Sequence, residues 1–265
     1  MTQILAKTEN CGDLFAQFFK ELGSDYCYYR PDDPAATRRE VDGLLNLVGS
    51  KTGMWLDVCC GYGRHALELA RRGWHVWGLD VSTDLVALAQ EHAASAGLNA
   101  KFGVGDMRYA NQFNAVRSSL DFNVASILGT SFGLCCDFEA DAAVLENLAQ
   151  AVRPGGQVVL ELFNRTFEER SIGEGTHESR KNLNGQFERW RWIDRSTGCK
   201  RMKVIYTGVT GTAHLDSVLM VYTRDQIEEM AHRAGLEVAG FKGDFDLQEF
   251  DPESSRRMLA LLVKA

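Results

Sequence analysis

Apolar positions recur in two alternating rhythms along most of the chain. Leu14, Phe15, Phe18, Phe19 and Leu22 repeat at helical spacing up to Gly23, and Val41, Leu44, Leu45 and Val48 do the same up to Gly49. Residues 54–58 then read as a short buried strand, followed by a glycine turn and a helix whose apolar side is Ala66, Leu67, Leu69 and Ala70, closed by Gly73. The same unit repeats. Residues 74–79 predict a second strand ending at Asp80, and Ser82 is placed to N-cap a helix carrying Leu85, Val86, Leu88, Ala89 and Ala93 up to Gly97. Residues 100–104 and 122–128 predict two more strands and residues 142–152 a helix; residues 157–163 then form a fully buried strand after the sharp reversal that Pro154-Gly155-Gly156 imposes. Strands alternating with helices predict a parallel α/β sheet that holds its ligand at the carboxyl edge.

Beyond residue 163 the rhythm changes. Residues 164–222 are polar and glycine-punctuated, and residues 187–192 and 201–206 alternate with a period of two around a turn at Ser196-Thr197-Gly198. That pattern predicts an antiparallel hairpin inserted into the core. Thr223 and Gln226 form the ends of a capping box that opens a helix closing at Gly235, and residues 236–241 and 258–263 predict a terminal antiparallel strand pair joined by the acidic loop 243–253. The chain is accordingly divided into a helical N-terminal lid (1–49), a ligand-binding core (50–163), an inserted cap (164–222) and a return to the core (223–265), all within one domain.

Candidate chemistry concentrates at Gly61 and Gly63. A strand that stops at two glycines before a helix brings backbone N–H groups and the positive helix end close to a ligand. Gly61-x-Gly63-x-x-Ala66 taken alone also satisfies a loose dinucleotide fingerprint, and Asp80 suits the ribose hydroxyls in either case. Asp57, four residues before Gly61, separates the two readings. An acid at that approach repels a pyrophosphate and favours a ligand bearing an ammonium and a sulfonium.

The ordered set Asp57-x-x-Cys60-Gly61-x-Gly63-x-His65, Gly78-Leu79-Asp80-Val81-Ser82, Gly105-Asp106-Met107-Arg108, Thr130-Ser131-Phe132-Gly133 and Pro154-Gly155-Gly156 resembles class I S-adenosylmethionine-dependent methyltransferases. It is most similar to the bacterial small-molecule branch with aminosugar and glycine-type N-methyltransferases. The likeness covers roughly residues 26–163, and the Gly243-Asp244-Phe245-Asp246 run shares it. The resemblance implies a Rossmann-like, doubly wound, mostly parallel seven-stranded sheet with an antiparallel C-terminal strand and an inserted β-hairpin cap. It also implies S-adenosyl-L-methionine as cofactor, held by Tyr28, Asp57, Cys59, Gly61, Gly63, Asp80, Val81, Asp106, Met107 and Ser126. In that set Asp106 accepts from the adenine amino group and Met107 supplies stacking area, while Ser126 to Leu128 face the methionine tail and the acceptor. Tyr28 and Tyr29 belong to the implied lid, as contacts near the methyl group.

One position departs from the branch. An acid is usual where Asn123 aligns, which leaves either Asn123 or a displaced Asp121 in that place. Candidates for a general base in the cap are Tyr206, His177, His214 and Glu178, each with a surface or packing role as the plainer reading; Tyr28 is a further catalytic candidate whose ring serves equally well to staple the first helix to the core, and His65 reads as a packing or capping residue. Trp190 and Trp192 share a hairpin face, which either lines an acceptor pocket or covers the sheet.

Composition narrows the partners. A formal net charge of -7 disfavours a nucleic-acid partner, and neither a run of about 18 apolar residues nor an apolar leader in residues 1–12 is present, so a soluble cytoplasmic enzyme, monomer or homodimer, is expected. Seven cysteines without Cys-x-x-Cys spacing read as reduced, buried thiols, and no metal is expected. The expected activity is methyl transfer to nitrogen or oxygen of a small molecule. The alternatives are an NAD-dependent oxidoreductase, a protein- or RNA-directed methyltransferase, or a cofactor-binding subunit without its own chemistry.

Overall fold

The computed structural model describes residues 33–109, 112, 122–173, 175–182, 185–208 and 211–265. Helix α1 (Pro34–Val48) begins well before the apolar stripe. Asp33 caps it by accepting from the Ala35 and Ala36 N–H groups at 3.0 Å, with Pro34 at the first helical position. There follow β1 (Met54–Val58), α2 (Arg64–Arg71), β2 (His75–Asp80), α3 (Thr83–Ser95), β3 (Ala100–Val104), β4 (Phe122–Ile127), α4 (Phe138–Ala151) and β5 (Val152–Phe163). A short helix α5 (Arg165–Ile172) leads into β6 (Thr176–Asn182), β7 (Gly185–Asp194), β8 (Cys199–Gly208) and β9 (Gly211–Met220). Helix α6 (Arg224–Arg233) then precedes β10 (Leu236–Lys242) and β11 (Arg257–Lys264).

Seven strands form one sheet in the order β10-β11-β5-β4-β1-β2-β3. Pairings among β1 to β5 are parallel, whereas β11 runs antiparallel to both β5 and β10. Both faces are apolar, as a sheet covered on two sides requires. Trp55, Val124, Val159 and Leu259 pack beneath α1 to α3, while Leu56, Ala125, Val158 and Ala260 pack beneath α4 and α6. Val41 and Leu44 are fully buried in the first of these layers, so α1, grouped with the lid by its sequence, is a core helix.

The Pro154-Gly155-Gly156 reversal lies inside β5. Phe122 opposes Val152 and Val124 opposes Gln157, so residues 153–156 bulge out of the ladder, and the strand begins at Val152. Asn123 sits at the amino end of β4, where its Oδ1 accepts from the Met54 N–H at 2.8 Å. An amide oxygen meets that donor as a carboxylate would; Asp121 lies outside the described residues.

The insertion is larger than a hairpin. β6-β7-β8-β9 make a four-stranded antiparallel sheet, with β7 and β8 meeting at the expected Ser196-Thr197-Gly198 turn. Ile193, Leu219 and Val221 seat it against Leu134 and Phe163. The capping box at α6 is present in full. Thr223→Ala is expected to cost about 1 kcal/mol: urea unfolding should shift its midpoint downward with the slope unchanged.

Candidate active site

Between β1 and α2 the backbone winds tightly. Cys59, Gly61 and Gly63 take φ values of 60°, 56° and 82°, all in the left-handed region, where glycine alone is unstrained. The Cys60 N–H donates to the Leu79 carbonyl and the Gly63 N–H to the Cys60 carbonyl. A Cβ at Gly63 would lie 3.0 Å from the Phe102 ring, whereas one at Gly61 would meet nothing within 4 Å among the described residues. Gly61 therefore borders open space. Among the described residues no side chain caps α2, which leaves its first N–H groups suited to a ligand.

Three carboxylates surround this turn. Asp57 pairs with Ser126 in the β1–β4 register, which places the Ser126 hydroxyl to donate to Asp57 Oδ1 at 3.1 Å; Ser126 in turn accepts from Trp55 Nε1 at 2.8 Å. Only 2% exposed, Asp57 is pushed up to about 7, chiefly by burial and further by Asp80, while Ser126 and Arg64 act in the opposite direction. Asp80 accepts from the Gly61 N–H at 2.8 Å through one oxygen and from the Ser82 N–H at 2.9 Å through the other. Its pKa is raised by burial, against backbone hydrogen bonds from Ser82, Gly61 and Val81.

Asp106 behaves differently, because both of its oxygens are engaged by Arg108, at 2.6 Å to Nη2 and 3.0 Å to Nε. The fields of Asp80, Asp106 and Asp57 all reach Cys59, whose thiol is held well above its ordinary pKa by burial and by those charges. Among the described residues neither Asp57 nor Asp80 has a cation at ion-pair distance, and such a pair of acids beside an open turn suits a cationic ligand. Met107 is buried, its sulfur 3.5 Å from that of Cys59.

Other candidates are dispersed. His177 and His214 lie on the outer face of the cap sheet: His177 stacks on Trp190 with centroids 4.7 Å apart and bonds Glu188, and His214 opposes Ile205. Trp190 and Trp192 share that face, lining an open groove of about 570 Å³ with His177, Lys203 and Ile205. Tyr206 is buried on the opposite face, and Glu178 is paired with Arg189 and Arg180. His65 is buried, with Nε2 2.8 Å from Glu40, and burial lowers its pKa. Tyr28 and Tyr29 lie outside the described residues.

Glu161 is the site-facing residue that the sequence reading passed over. It is buried on the same face as Asp57 and Ser126, accepts from the Gly129 N–H at 2.7 Å, and meets Arg257 at 3.3 Å. It thereby fixes the turn that leaves β4 at the carboxyl edge. Its signal was a lone acid inside an otherwise apolar strand.

A family model for a methyltransferase domain matches residues 56–156, the glycine turn and the strands around it. The dTDP-3-amino-3,6-dideoxy-alpha-D-glucopyranose N,N-dimethyltransferase of Streptomyces fradiae is 32% identical over 240 residues, covering 87% of this chain and 85% of that protein. Among solved structures, the CcbJ methyltransferase from Streptomyces caelestis matches with a TM-score of 0.76 at 17% identity, covering 98% of this chain and 100% of that one. CalS10 with bound S-adenosylmethionine, an amino pentose methyltransferase from Micromonospora echinaspora, matches with a TM-score of 0.64 at 22% identity, covering 91% and 96%. The family match and the Streptomyces fradiae relative decide between the two ligands that a glycine turn and an Asp80 allow, while the solved structures share the fold. The chain belongs to the class I S-adenosylmethionine-dependent methyltransferases.

Proposed function

We propose that this enzyme methylates an amino nitrogen of a nucleotide-linked sugar in the cytoplasm. The observation that carries this reading is the extent of the Streptomyces fradiae relative, whose likeness runs through the cap as well as the cofactor core. The net charge of -7 argues against a nucleic-acid partner. No helix among the described residues is long and apolar enough to cross a membrane.

In this reading the Gly61 and Gly63 turn, with Cys59 beside it, cradles the adenosylmethionine through backbone groups. Asp80 and Val81 hold the ribose, Asp57 with Ser126 balances the ammonium and sulfonium charge, and Asp106 and Met107 border the adenine. S-adenosylmethionine supplies a methyl group on sulfur with a neutral thioether as leaving group. What the chain supplies is position: holding acceptor nitrogen and methyl carbon about 3 Å apart and in line lowers a barrier by roughly 7 to 11 kcal/mol. An amine that arrives as its free base needs no general base, in keeping with His177 and His214 lying on the outer face.

The test is turnover followed by mass spectrometry, with S-adenosylmethionine and a panel containing dTDP-3-amino-3,6-dideoxyglucose, the free aminosugar and a catechol. The expected product is the nucleotide sugar carrying one or two added methyl groups. Methylation of the catechol alone would overturn the nitrogen assignment.

A further inference from the structure

The two faces of the cap sheet differ in what they bury. On β7 the residues Arg189, Arg191 and Ile193 point to one side, and Ile193 shows that this side faces the core, because it packs with Leu219 and Val221 against Leu134 and Phe163. Thr176 lies directly opposite Arg191 in the β6–β7 register, and Glu178 opposite Arg189. This inner face therefore carries two guanidinium groups and a hydroxyl within a few residues of the cap–core seam.

Among the described residues, three of their polar atoms are buried with no hydrogen-bond partner: Arg189 Nε, Arg191 Nε and Thr176 Oγ1. Native interiors seldom leave such donors unsatisfied, and three in one patch is a pattern, not an isolated defect. Charge is also left over. Glu178 is taken by Arg189 and Arg180, and Glu168 by Lys200 at 2.7 Å, so Arg191 keeps no carboxylate at ion-pair distance among the described residues. Burial, then Arg189, lowers the Arg191 pKa, while the fields of Glu168 and Glu178 act in the opposite direction from beyond ion-pair distance, as a bound anion would.

We propose that Arg191, Arg189 and Thr176 form an anion subsite on the inner face of the cap that takes the phosphate groups of the acceptor. The subsite rests on the nucleotide-linked reading above. Phosphate fits better than carboxylate because the donors come from two strands and from separate side chains. Several oxygens in a tetrahedral array can meet them, whereas a planar pair of oxygens suits a single guanidinium. In this arrangement the cap selects the acceptor by its phosphates while the glycine turn holds the methyl donor, so the two affinities are separable.

Calorimetry on the full chain tests this with dTDP and S-adenosylhomocysteine as probes. R191Q is expected to weaken dTDP binding at least about tenfold, and T176V about threefold, with S-adenosylhomocysteine affinity unchanged in both. R191Q binding dTDP as the wild type does would overturn the subsite and leave the nucleotide-linked reading standing. If R191Q also loses S-adenosylhomocysteine, T176V, which removes one donor and no charge, decides, and an unchanged dTDP affinity there overturns the subsite. Should the wild type methylate the free aminosugar while dTDP neither binds nor inhibits, the nucleotide-linked reading falls and the subsite with it.

Discussion

Asp80→Asn should weaken S-adenosylmethionine binding by about 10- to 150-fold, the equivalent of losing one charge-assisted hydrogen bond at roughly 1.5 to 3 kcal/mol. The carboxylate has two tasks at once. It accepts from the Gly61 and Ser82 N–H groups, which ties the glycine turn to the end of β2, and its remaining lone pairs face the ribose in the proposed complex. An asparagine keeps the size but turns an NH₂ group toward one of those backbone donors, so the turn loosens where the ligand must sit. Titration calorimetry reads the affinity, and a thermal melt without ligand reads the fold. Wild-type affinity in the D80N protein would separate Asp80 from the cofactor site.

Asp57→Asn is expected to act with opposite signs on stability and on binding. The Asp57 carboxyl is raised from 3.8 to about 7 in the folded chain, so the neutral form is the one folding favours. A raised folded pKa contributes stability that is present in full below about pH 4 and is lost as the pH climbs through 7. The difference is on the order of 4 kcal/mol at most, at 1.36 kcal/mol for each unit. At pH 8 without ligand, the asparagine variant should therefore melt higher than the wild type. Its amide oxygen can still accept from Ser126, so that hydrogen bond is kept.

Binding runs the other way. A cationic ligand favours the carboxylate, so wild-type affinity for S-adenosylmethionine should rise with pH through 7 and fall by up to about tenfold per unit below it. In D57N the affinity should be lower at pH 8 and the slope near 7 should be gone. Equal slopes in the two proteins would show that Asp57 does not meet the charge of the ligand.

What could be read from the chain alone was mostly local. The glycine turn, the Asp80 tip, the Ser82 cap and the Thr223 capping box all depend on residues within a few positions of each other, and each is found in place. That β1 to β5 form a parallel sheet follows from strands alternating with helices, whereas their order in the sheet is a tertiary outcome. Strands β6 and β9 were not legible, since Thr-His-Glu-Ser-Arg-Lys-Asn has no apolar alternation and is a strand only because β7 pairs with it.

Period-two alternation correctly places Trp190 and Trp192 together on one face, but only the seating of Ile193 on Leu134 and Phe163 decides that this face is the outer one. The same tertiary choice put His177 and His214 outside. Asp106 shows a related limit: its position in the turn follows from the motif, yet the fork of Arg108, two residues on, is what occupies its carboxylate. Glu161 was hidden because its partners, Gly129 and Arg257, are distant in sequence.

A crystal structure with S-adenosylhomocysteine bound tests the acidic cradle most directly. The adenosyl group should lie over the Cys59 to Gly63 turn, with Asp80 at the ribose hydroxyls and both Asp57 and Asp106 lining that one pocket. Density for the ligand at another edge of the sheet, or on this turn with Asp57 and Asp106 facing away from it, would contradict the cradle.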